Sequence, residues 1–268
     1  MTPRRIVSGF GFAAIGLGSV AYPDVFTLVV LIIALASLRE FARLTARTGQ
    51  ELVVPVAAPA VALYIILARF ELLHRWETVL LAATIVLALA LALFGSRRGY
   101  FARSAYTLLG VLYIGKLLSY FVTLRNVHEG GAFLVALAIV LIAMTDVGCM
   151  LVGTSIGRTP LTSISPRKTV EGAVGGLLIV AAIGAGAAVL PFVHAPWWQG
   201  ALAGAVTSLA AQAGDLVESA LKRDAAVKDA GTALFGHGGW LDRFDSYMFG
   251  GVAFYGMLHL LHYLPASA

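Results

Sequence analysis

The stretch GAFLVALAIVLIAMTDVGCMLV, residues 131–152, contains a single charged side chain, Asp146. A helix crosses the hydrocarbon core of a bilayer with about 20 mostly apolar residues, so this stretch predicts a transmembrane helix. Apolar stretches of similar length lie on both sides of it along the chain. Together they predict nine spans, near residues 6–22, 24–41, 52–70, 76–95, 104–123, 131–152, 173–193, 197–221 and 246–263.

The composition of the whole chain agrees with a polytopic membrane protein. Of its 268 residues, 59% are apolar and only 12% are charged, and the mean hydropathy is +0.88. A water-soluble domain does not have this composition. The sequence therefore predicts an all-α bundle of about nine transmembrane helices in a single membrane-embedded domain over residues 1–268. The single cysteine, Cys149, excludes an intramolecular disulfide.

The positive charges indicate how these helices are oriented. With the N-terminus in the cytoplasm, the nine spans put 15 of the 19 Lys and Arg residues on cytoplasmic segments, three outside and one within a span. Cytoplasmic loops of membrane proteins carry such an excess. The net charge of +5 is then explained by loops beside anionic lipid and not by nucleic acid. Two long charged segments, 153–172 and 222–245, are predicted on the cytoplasmic face, where nucleotides are available.

Two features of the spans each have two interpretations. Arg4 and Arg5 precede an apolar run, as in a signal peptide, but further spans follow at once, so we expect an uncleaved first helix. Lys116 lies inside the fifth predicted span, where a lysine is costly in lipid. It either faces the interior of the bundle or extends to the membrane surface, and the sequence assigns it no role.

The segment from Gln212 to Ser246, QAGDLVESALKRDAAVKDAGTALFGHGGWLDRFDS, concentrates charge in a chain that otherwise avoids it. It mixes acidic and basic residues, which suits a site for a metal ion together with a polyanion, whereas basic residues alone would indicate simple anion attraction. Asp215, Glu218 and Lys222 fall at i, i+3 and i+7, which places them on one face of a helix. A solvated loop between two membrane helices is the alternative interpretation.

A second charged segment follows Asp146 and contains Ser165-Pro166-Arg167-Lys168-Thr169. Hydroxyl groups, exposed backbone N–H groups and two adjacent cations can hold phosphate oxygens. Asp146 itself either pairs with a neighbouring helix or faces a ligand. Pro166 and Glu171 also fit the simple start of a helix, so composition alone does not decide between a binding loop and a helix start.

The two segments together resemble the phosphatidate cytidylyltransferases, also called CDP-diacylglycerol synthases. The signature of that family near its C-terminus is Ser-x-x-Lys-Arg, four residues, Lys-Asp-x-Gly, and then His-Gly-Gly-x-x-Asp-Arg-x-Asp. The chain matches it at Ser219, Lys222, Arg223, Lys228, Asp229, Gly231, His237, Gly238, Gly239, Asp242, Arg243 and Asp245. The matching positions of the earlier segment are Asp146, Gly148, Gly157, Ser165, Pro166, Lys168, Thr169, Glu171 and Gly172.

The resemblance is close from about Tyr113 to the C-terminus. Before that it extends only to hydropathy and to the turn Glu40-Phe41-Ala42-Arg43-Leu44. The chain departs from the family pattern at Phe235, at Cys149-Met150 and at Ile156. None of these departures removes a charged group, so they bear on loop shape or lipid preference more than on chemistry.

The resemblance implies that the protein transfers the cytidylyl group of CTP to phosphatidate, forming CDP-diacylglycerol and pyrophosphate. It implies CTP, phosphatidate and membrane lipid as partners, a homodimer, a bacterial inner membrane as location, and no nucleic acid. Mg²⁺ is the implied cofactor, and the number of metal ions is left open. Residues 131–268 are then expected to form the catalytic half, and residues 1–123 the scaffold.

Residue roles follow from this implied reaction as hypotheses. Mg²⁺ prefers oxygen ligands, and the ends of the eighth and ninth spans supply the expected ligands Asp215, Asp242 and Asp245. The expected catalytic residues, most of them basic groups for phosphate, are Lys222, Arg223, Lys228, Asp229, His237 and Arg243. Substrate binding is expected at Ser165, Lys168, Ser219, Gly238 and Gly239. Further candidates are Asp146, Glu171 and Glu218, whereas Asp224 is expected to be a solvated partner of Lys228.

Two rival functions remain open. A related polyprenol or lipid kinase would use the same phosphate-handling groups but would yield a phosphorylated lipid. A transporter of an anionic solute would also place Asp and Lys within a helix bundle. That rival predicts polar residues near the middle of the spans and inverted halves. Here most charges lie at the predicted cytoplasmic ends and no internal repeat is apparent.

Overall fold

The structure, a computed structural model, describes residues 16, 18–94, 99–128, 130–190, 193, 195–227, 230–231 and 239–264. Within these ranges the chain is all-α, as predicted, with no β-strand and one isolated β-bridge between Pro160 and Thr169. The described helices are α1 Pro23–Arg47, α2 Val54–Arg69, α3 Leu73–Ala92, α4 Tyr100–Arg125, α5 Gly131–Ile156, α6 Val170–Ala188, α7 Trp197–Asp224 and α8 Leu241–Leu260.

Five of the described helices are long and apolar enough to cross a membrane, namely α1, α3, α4, α5 and α6. Helix α2 is also apolar but has only 16 residues. The chain is therefore a membrane protein. The larger count of nine spans, the cytoplasmic N-terminus and the cytoplasmic active-site loops remain predictions, and most of the first predicted span, 6–22, lies outside the described residues.

A span predicted from hydropathy stops where charged residues begin, whereas the helix can continue through them. The predicted second span, 24–41, was too short, because α1 continues to Arg47, and the predicted turn over residues 40–44 is helical. Asp24 in the first turn of α1 and Arg47 in its last turn complement the helix dipole. Hydropathy therefore locates this helix but underestimates its length.

The predicted loop 222–245 was too long for the same reason. Helix α7 continues to Asp224 and has Lys222 and Arg223 in its last turn. Helix α8 begins at Leu241 and has Asp242 in its first turn. Cations at the C-terminal end and a carboxylate at the N-terminal end are the placements that a helix dipole favours, so part of the charged segment is helical.

The described residues form two compact units. The first unit comprises those of 1–132 and 221–244, and the second comprises those of 133–220 and 245–267. The first unit thus contains α1 to α4 and the turn between α7 and α8, where part of the predicted catalytic set lies. The assignment of 1–268 to one domain, with 1–123 as scaffold and 131–268 as catalytic half, stays a prediction.

Lys116 belongs to the first unit and ends a π-helical turn, Val111–Lys116, within α4. Its Nζ lies 2.7 Å from Oε1 of Glu77 on α3 and 4.6 Å from the centroid of the Tyr120 ring. The side chain of Lys116 is 16% exposed. The pairing of Lys116 with a carboxylate on another helix supports the interpretation in which Lys116 faces the interior of the bundle.

Breaking the pair between Lys116 and Glu77 on one side is expected to destabilise the protein more than removing both charges. Lys116→Met or Glu77→Gln leaves one charge in apolar surroundings, which we expect to lower the free energy of unfolding by about 1–2 kcal/mol. The double variant leaves neither charge and is expected to regain most of that loss. Thermal unfolding in detergent measures the effect, and losses that simply add in the double variant would contradict it.

Glycines bring the helices of the second unit close together. A Cβ atom on Gly184 of α6 would overlap the carbonyl oxygen of Gly200 on α7. A Cβ atom on Gly214 of α7 would lie 2.6 Å from the carbonyl oxygen of Asp245 on α8. Small residues allow such close approach between membrane helices. These contacts hold α7, which carries Asp215, close to α6 and α8.

Candidate active site

A cavity of about 400 Å³ lies in the second unit, where α5, α6, α7 and the loop between α5 and α6 meet. Its charged lining residues are Asp146 on α5, Arg167 and Lys168 on the loop, and Asp215 on α7. The volume is in the range of small-molecule sites. The cavity therefore combines acidic and basic groups, a mixture that suits a site for a metal and a polyanion.

Lys168 and Asp215 form an ion pair in this cavity. Nζ of Lys168 lies 2.5 Å from Oδ2 of Asp215, and the two side chains are 27% and 33% exposed. The Nζ atom itself is buried. An ammonium has three N–H donors, so a pair with one carboxylate leaves donors for another acceptor, such as a phosphate oxygen.

Backbone hydrogen bonds bring the loop between α5 and α6 to the cavity. The N–H of Lys168 donates to the carbonyl of Ser165 at 3.0 Å, and the N–H of Leu161 donates to the carbonyl of Lys168 at 2.8 Å. The N–H of Val170 donates to the carbonyl of Thr159 at 2.9 Å, where the loop joins α6. Ser165 and Lys168, both predicted to bind substrate, consequently line the cavity.

Thr169 caps the start of α6 at the cavity. Its Oγ1 accepts a hydrogen bond from the N–H of Gly172 at 3.1 Å, the arrangement of an N-cap residue. A Cβ atom on Gly157 would lie 2.6 Å from this Oγ1, and one on Gly153 would lie 3.0 Å from it. The glycines thus let α5 and the loop approach a helix N-terminus, where N–H groups and the helix dipole favour an anion.

Glu171, a further candidate, is hydrogen-bonded to the loop. Its carboxylate accepts from the N–H of Arg158 at 3.1 Å, from the N–H of Thr159 at 3.2 Å and from Oγ1 of Thr159 at 2.9 Å. It is not among the residues that line the cavity. These contacts support a role in holding the loop, and a role of Glu171 in substrate binding stays a prediction.

We expect Glu171→Gln to loosen the loop without disrupting the helices, because the amide keeps one acceptor oxygen but loses the charge that strengthens these hydrogen bonds. Trypsin should then cleave after Arg158 and Arg167 faster than in the wild type, and the KM for the nucleotide should rise. Glu51→Gln, at an exposed position in another loop, is the control. Unchanged cleavage at both arginines in Glu171→Gln would contradict the anchoring role.

Asp242 organises the charged turn of the first unit. Its Oδ1 lies 2.8 Å from Nζ of Lys222. Its Oδ2 accepts hydrogen bonds from the N–H groups of Gly239 at 2.7 Å and Ala230 at 3.0 Å. The side chains of Asp242 and Lys222 are 10% and 16% exposed. Mg²⁺ at Asp242 would compete with these three donors. Two of them are backbone N–H groups, and the third is the side chain of Lys222.

The other predicted site residues are divided between the units. In the second unit Asp146 lines the cavity, while Glu218 and Asp245 are buried, at 0% and 6% exposure, and do not line it. Ser219 also belongs to the second unit, and Arg223, Arg243 and Gly239 belong to the first. Outside the described residues lie Lys228, Asp229, His237, Gly238 and Phe235.

The predicted metal ligands do not all lie in one unit, since Asp215 and Asp245 belong to the second and Asp242 to the first. Within the part of the chain that the structure describes, no three acidic, histidine or cysteine side chains form a metal cluster. Mg²⁺ does not require one, because it takes one or two carboxylates and completes its shell with waters and phosphate oxygens. Asp146 and Asp215, which line the same cavity, fit that requirement.

Four residues with roles at these sites were not among the expected site residues, and one of them is Arg167, which lines the cavity. Thr169 and Gln212 line the cavity, and the place of Thr169 in the family pattern could have identified it. Glu40 on α1 accepts a hydrogen bond from the N–H of Leu241 at 2.9 Å. Glu40 lies beside Arg39 and near Arg43, so its local sequence gave no signal of burial, and residues 1–123 were expected to be scaffold.

Comparison with known proteins identifies the family of the chain. A model of the Cytidylyltransferase family matches residues 3–261. A phosphatidate cytidylyltransferase of Bacillus subtilis is 41% identical over 150 residues, which are 56% of each chain. One of Synechocystis is 32% identical over 290 residues, covering 93% of this chain and 94% of the relative. The chloroplastic phosphatidate cytidylyltransferase 4 of Arabidopsis thaliana is 32% identical over 290 residues, covering 95% and 73%. The chain therefore belongs to the cytidylyltransferase family.

Proposed function

We propose that the protein transfers the cytidylyl group of CTP to phosphatidate, forming CDP-diacylglycerol and pyrophosphate. Membership of the cytidylyltransferase family supports this reaction, and so do relatives of that name that align with more than nine-tenths of the chain. The observation that carries the proposal is the cavity of the second unit. There Arg167 and Lys168 lie with Asp146 and Asp215 around one space of about 400 Å³.

The reaction needs little acid–base chemistry. A phosphate oxygen of phosphatidate attacks the α-phosphorus of CTP, and the bond from that phosphorus to the oxygen of the β-phosphate breaks. Pyrophosphate leaves with the electron pair. The protein therefore has to bring two anions into line and neutralise the charge that develops on the leaving group, so positioning and electrostatics supply most of the acceleration.

The lining residues match these two tasks. Arg167 and Lys168 offer N–H donors to phosphate oxygens, with the planar guanidinium suited to two oxygens at once. The N-terminus of α6, capped by Thr169, adds backbone N–H groups at the same place. Asp146 and Asp215 would hold Mg²⁺, which when bound supplies charge neutralisation at phosphate oxygens. Metal binding by Asp242 and by Asp245 stays a prediction for each residue separately.

The same cavity suits a lipid substrate. Met150, Leu161 and Ala173 form part of its wall, and α5 and α6, whose residues contribute to it, are both apolar enough to cross a membrane. The phosphate of phosphatidate can then enter from the level of the membrane while its acyl chains stay in lipid. We further propose a bacterial inner membrane as the location and a homodimer as the assembly, with no nucleic acid as partner.

Labelled CTP tests the proposed function against both rivals. Purified protein is incubated with phosphatidate, Mg²⁺ and CTP labelled at either the α- or the γ-phosphate, and the lipid fraction is separated by chromatography. We expect α-label in the lipid and γ-label in pyrophosphate. Transfer of only the γ-label to lipid would indicate a lipid kinase. Solute uptake by proteoliposomes without labelled lipid would indicate a transporter.

A further inference from the structure

Glu40 places a buried carboxylate inside the first unit. The residue is 2% exposed and lies within the membrane-length helix α1. Burial of a carboxylate in such surroundings is costly unless the group has partners. Its Oε1 is buried and makes no hydrogen bond within the described residues. Stability alone gives no reason to keep a carboxylate here, so the contacts of the group indicate its role.

The carboxylate of Glu40 lies against the turn that leads into α8. Its Oε2 accepts a hydrogen bond from the N–H of Leu241, the first residue of that helix, at 2.9 Å. A Cβ atom on Gly231 would lie 2.6 Å from Cδ of Glu40, and one on Gly239 would lie 2.7 Å from it. Neither glycine has a positive φ. Close approach of the carboxylate, and not backbone conformation, therefore requires glycine at both positions.

The same turn is also bound by Asp242. The carboxylate of Asp242 accepts hydrogen bonds from the N–H groups of Ala230 and Gly239 and lies 2.8 Å from Nζ of Lys222. Residues 230–231 and 239–241 thus contact two carboxylates. Movement of one carboxylate would shift the backbone that binds the other, so the position of Asp242 and Lys222 depends on Glu40.

We propose that Glu40 is a positioning residue, which fixes the turn before α8 and thereby the pair formed by Asp242 and Lys222. The inference rests on the proposed function, because it takes these two residues as part of the cytidylyl-transfer machinery. Glu40 itself does not touch substrate. A helix of the predicted scaffold consequently contributes to the geometry on which turnover depends.

Glu40→Gln tests the proposal with little change in shape. We expect kcat for labelled-lipid formation to fall about 10-fold or more, while KM for CTP changes less than about 2-fold. This pattern is typical of a residue that orients a site without contacting the ligand. Hydrogen exchange of the Gly239 and Leu241 amides should become faster. Thr45→Val, which alters a buried side chain on the same helix, is the control and should leave all three readouts unchanged.

A second pair of variants tests the contact from the other side. Gly239→Ala alone should lower kcat as Glu40→Gln does, because its methyl group overlaps the carboxylate. In a Glu40→Ala background, which removes that carboxylate, Gly239→Ala should cause little further loss. Fully additive losses would overturn the proposed contact, and normal kcat in Glu40→Gln would overturn the positioning role.

The two proposals can fail separately. If the wild-type protein forms no α-labelled lipid, the cytidylyltransferase function is wrong, but amide exchange in Glu40→Gln still tests the contact. Unchanged exchange at Gly239 and Leu241 in a folded Glu40→Gln variant would refute the role of Glu40 whatever the activity of the protein is.

Discussion

Asp215→Asn is expected to lower the rate of CTP-dependent lipid labelling by about 10³-fold or more, because it removes charge from a site that depends on electrostatic stabilisation. The substitution leaves Nζ of Lys168 buried beside a neutral amide instead of a carboxylate 2.5 Å away. It also removes one of the two carboxylates that line the cavity. Transfer of α-label from CTP to lipid at saturating substrate measures the loss.

A matched substitution on the same helix provides the control. Asp224 lies in the exposed last turn of α7, so Asp224→Asn should retain the turnover of the wild type. Equal losses in Asp215→Asn and Asp224→Asn would show that charge on α7 matters only in general. Near-normal turnover in Asp215→Asn would also contradict the prediction. It would remove Asp215 from the active site.

The double variant Lys168→Met with Asp215→Asn separates two explanations of the effect. If Asp215 serves only to balance Lys168, removing both charges should restore part of the folding stability, and the double variant should turn over as slowly as Lys168→Met alone, because Lys168 is itself proposed to bind phosphate. If Asp215 also binds Mg²⁺, stability should recover while turnover falls well below that of Lys168→Met. Thermal unfolding in detergent and the labelled-lipid assay measure the two quantities on the same preparations.

Asp242→Asn is expected to reduce turnover to a small residual rate and also to destabilise the first unit. Asparagine has one acceptor oxygen and two N–H groups, whereas Asp242 accepts from Ala230 and Gly239 and pairs with Lys222. At least one N–H group must then face another donor. Loss of hydrogen bonds to a charged, nearly buried group should lower the free energy of unfolding by about 2–3 kcal/mol, which thermal unfolding in detergent measures.

Titration with Mg²⁺ distinguishes anchoring of the turn from binding of a metal by Asp242. Lys222→Met removes the partner but keeps the carboxylate, so it should not increase the Mg²⁺ concentration required for half-maximal turnover. Residual activity of Asp242→Asn should require more Mg²⁺ than the wild type if Asp242 is a ligand. If both variants require the same Mg²⁺ concentration as the wild type, Asp242 anchors the turn and does not bind the metal.

Local properties of the sequence were enough for much of the fold and for part of the site. Long apolar runs predicted the described helices, and the errors lie at their ends, as at α1, where charged residues continue the helix. Hydropathy measures the transfer of side chains into lipid, whereas a helix ends where its backbone hydrogen bonds end. Lys168 and Asp215 were both predicted as site residues, but their contact was not.

Glu40 shows why the remainder could not be predicted. It is separated by 201 positions from Leu241, whose N–H it binds, and no local pattern connects the two residues. The signature motif lies near the C-terminus, so residues 1–123 were interpreted as scaffold and no site residue was expected among them. Gly239 of that motif was expected to bind substrate, and in the structure Gly231 and Gly239 both lie against the Glu40 carboxylate.

The sequence by itself determined that this protein is an all-α membrane protein with phosphate-handling chemistry, because hydropathy and motif spacing are properties of short stretches. Only the tertiary structure decided which charged groups meet, namely Lys168 with Asp215, Lys222 with Asp242, and Glu40 with the start of α8. Such pairings depend on how closely glycine-lined helices and turns pack across long separations in the chain. That packing is set by the whole fold and not by the residues that form the pairs.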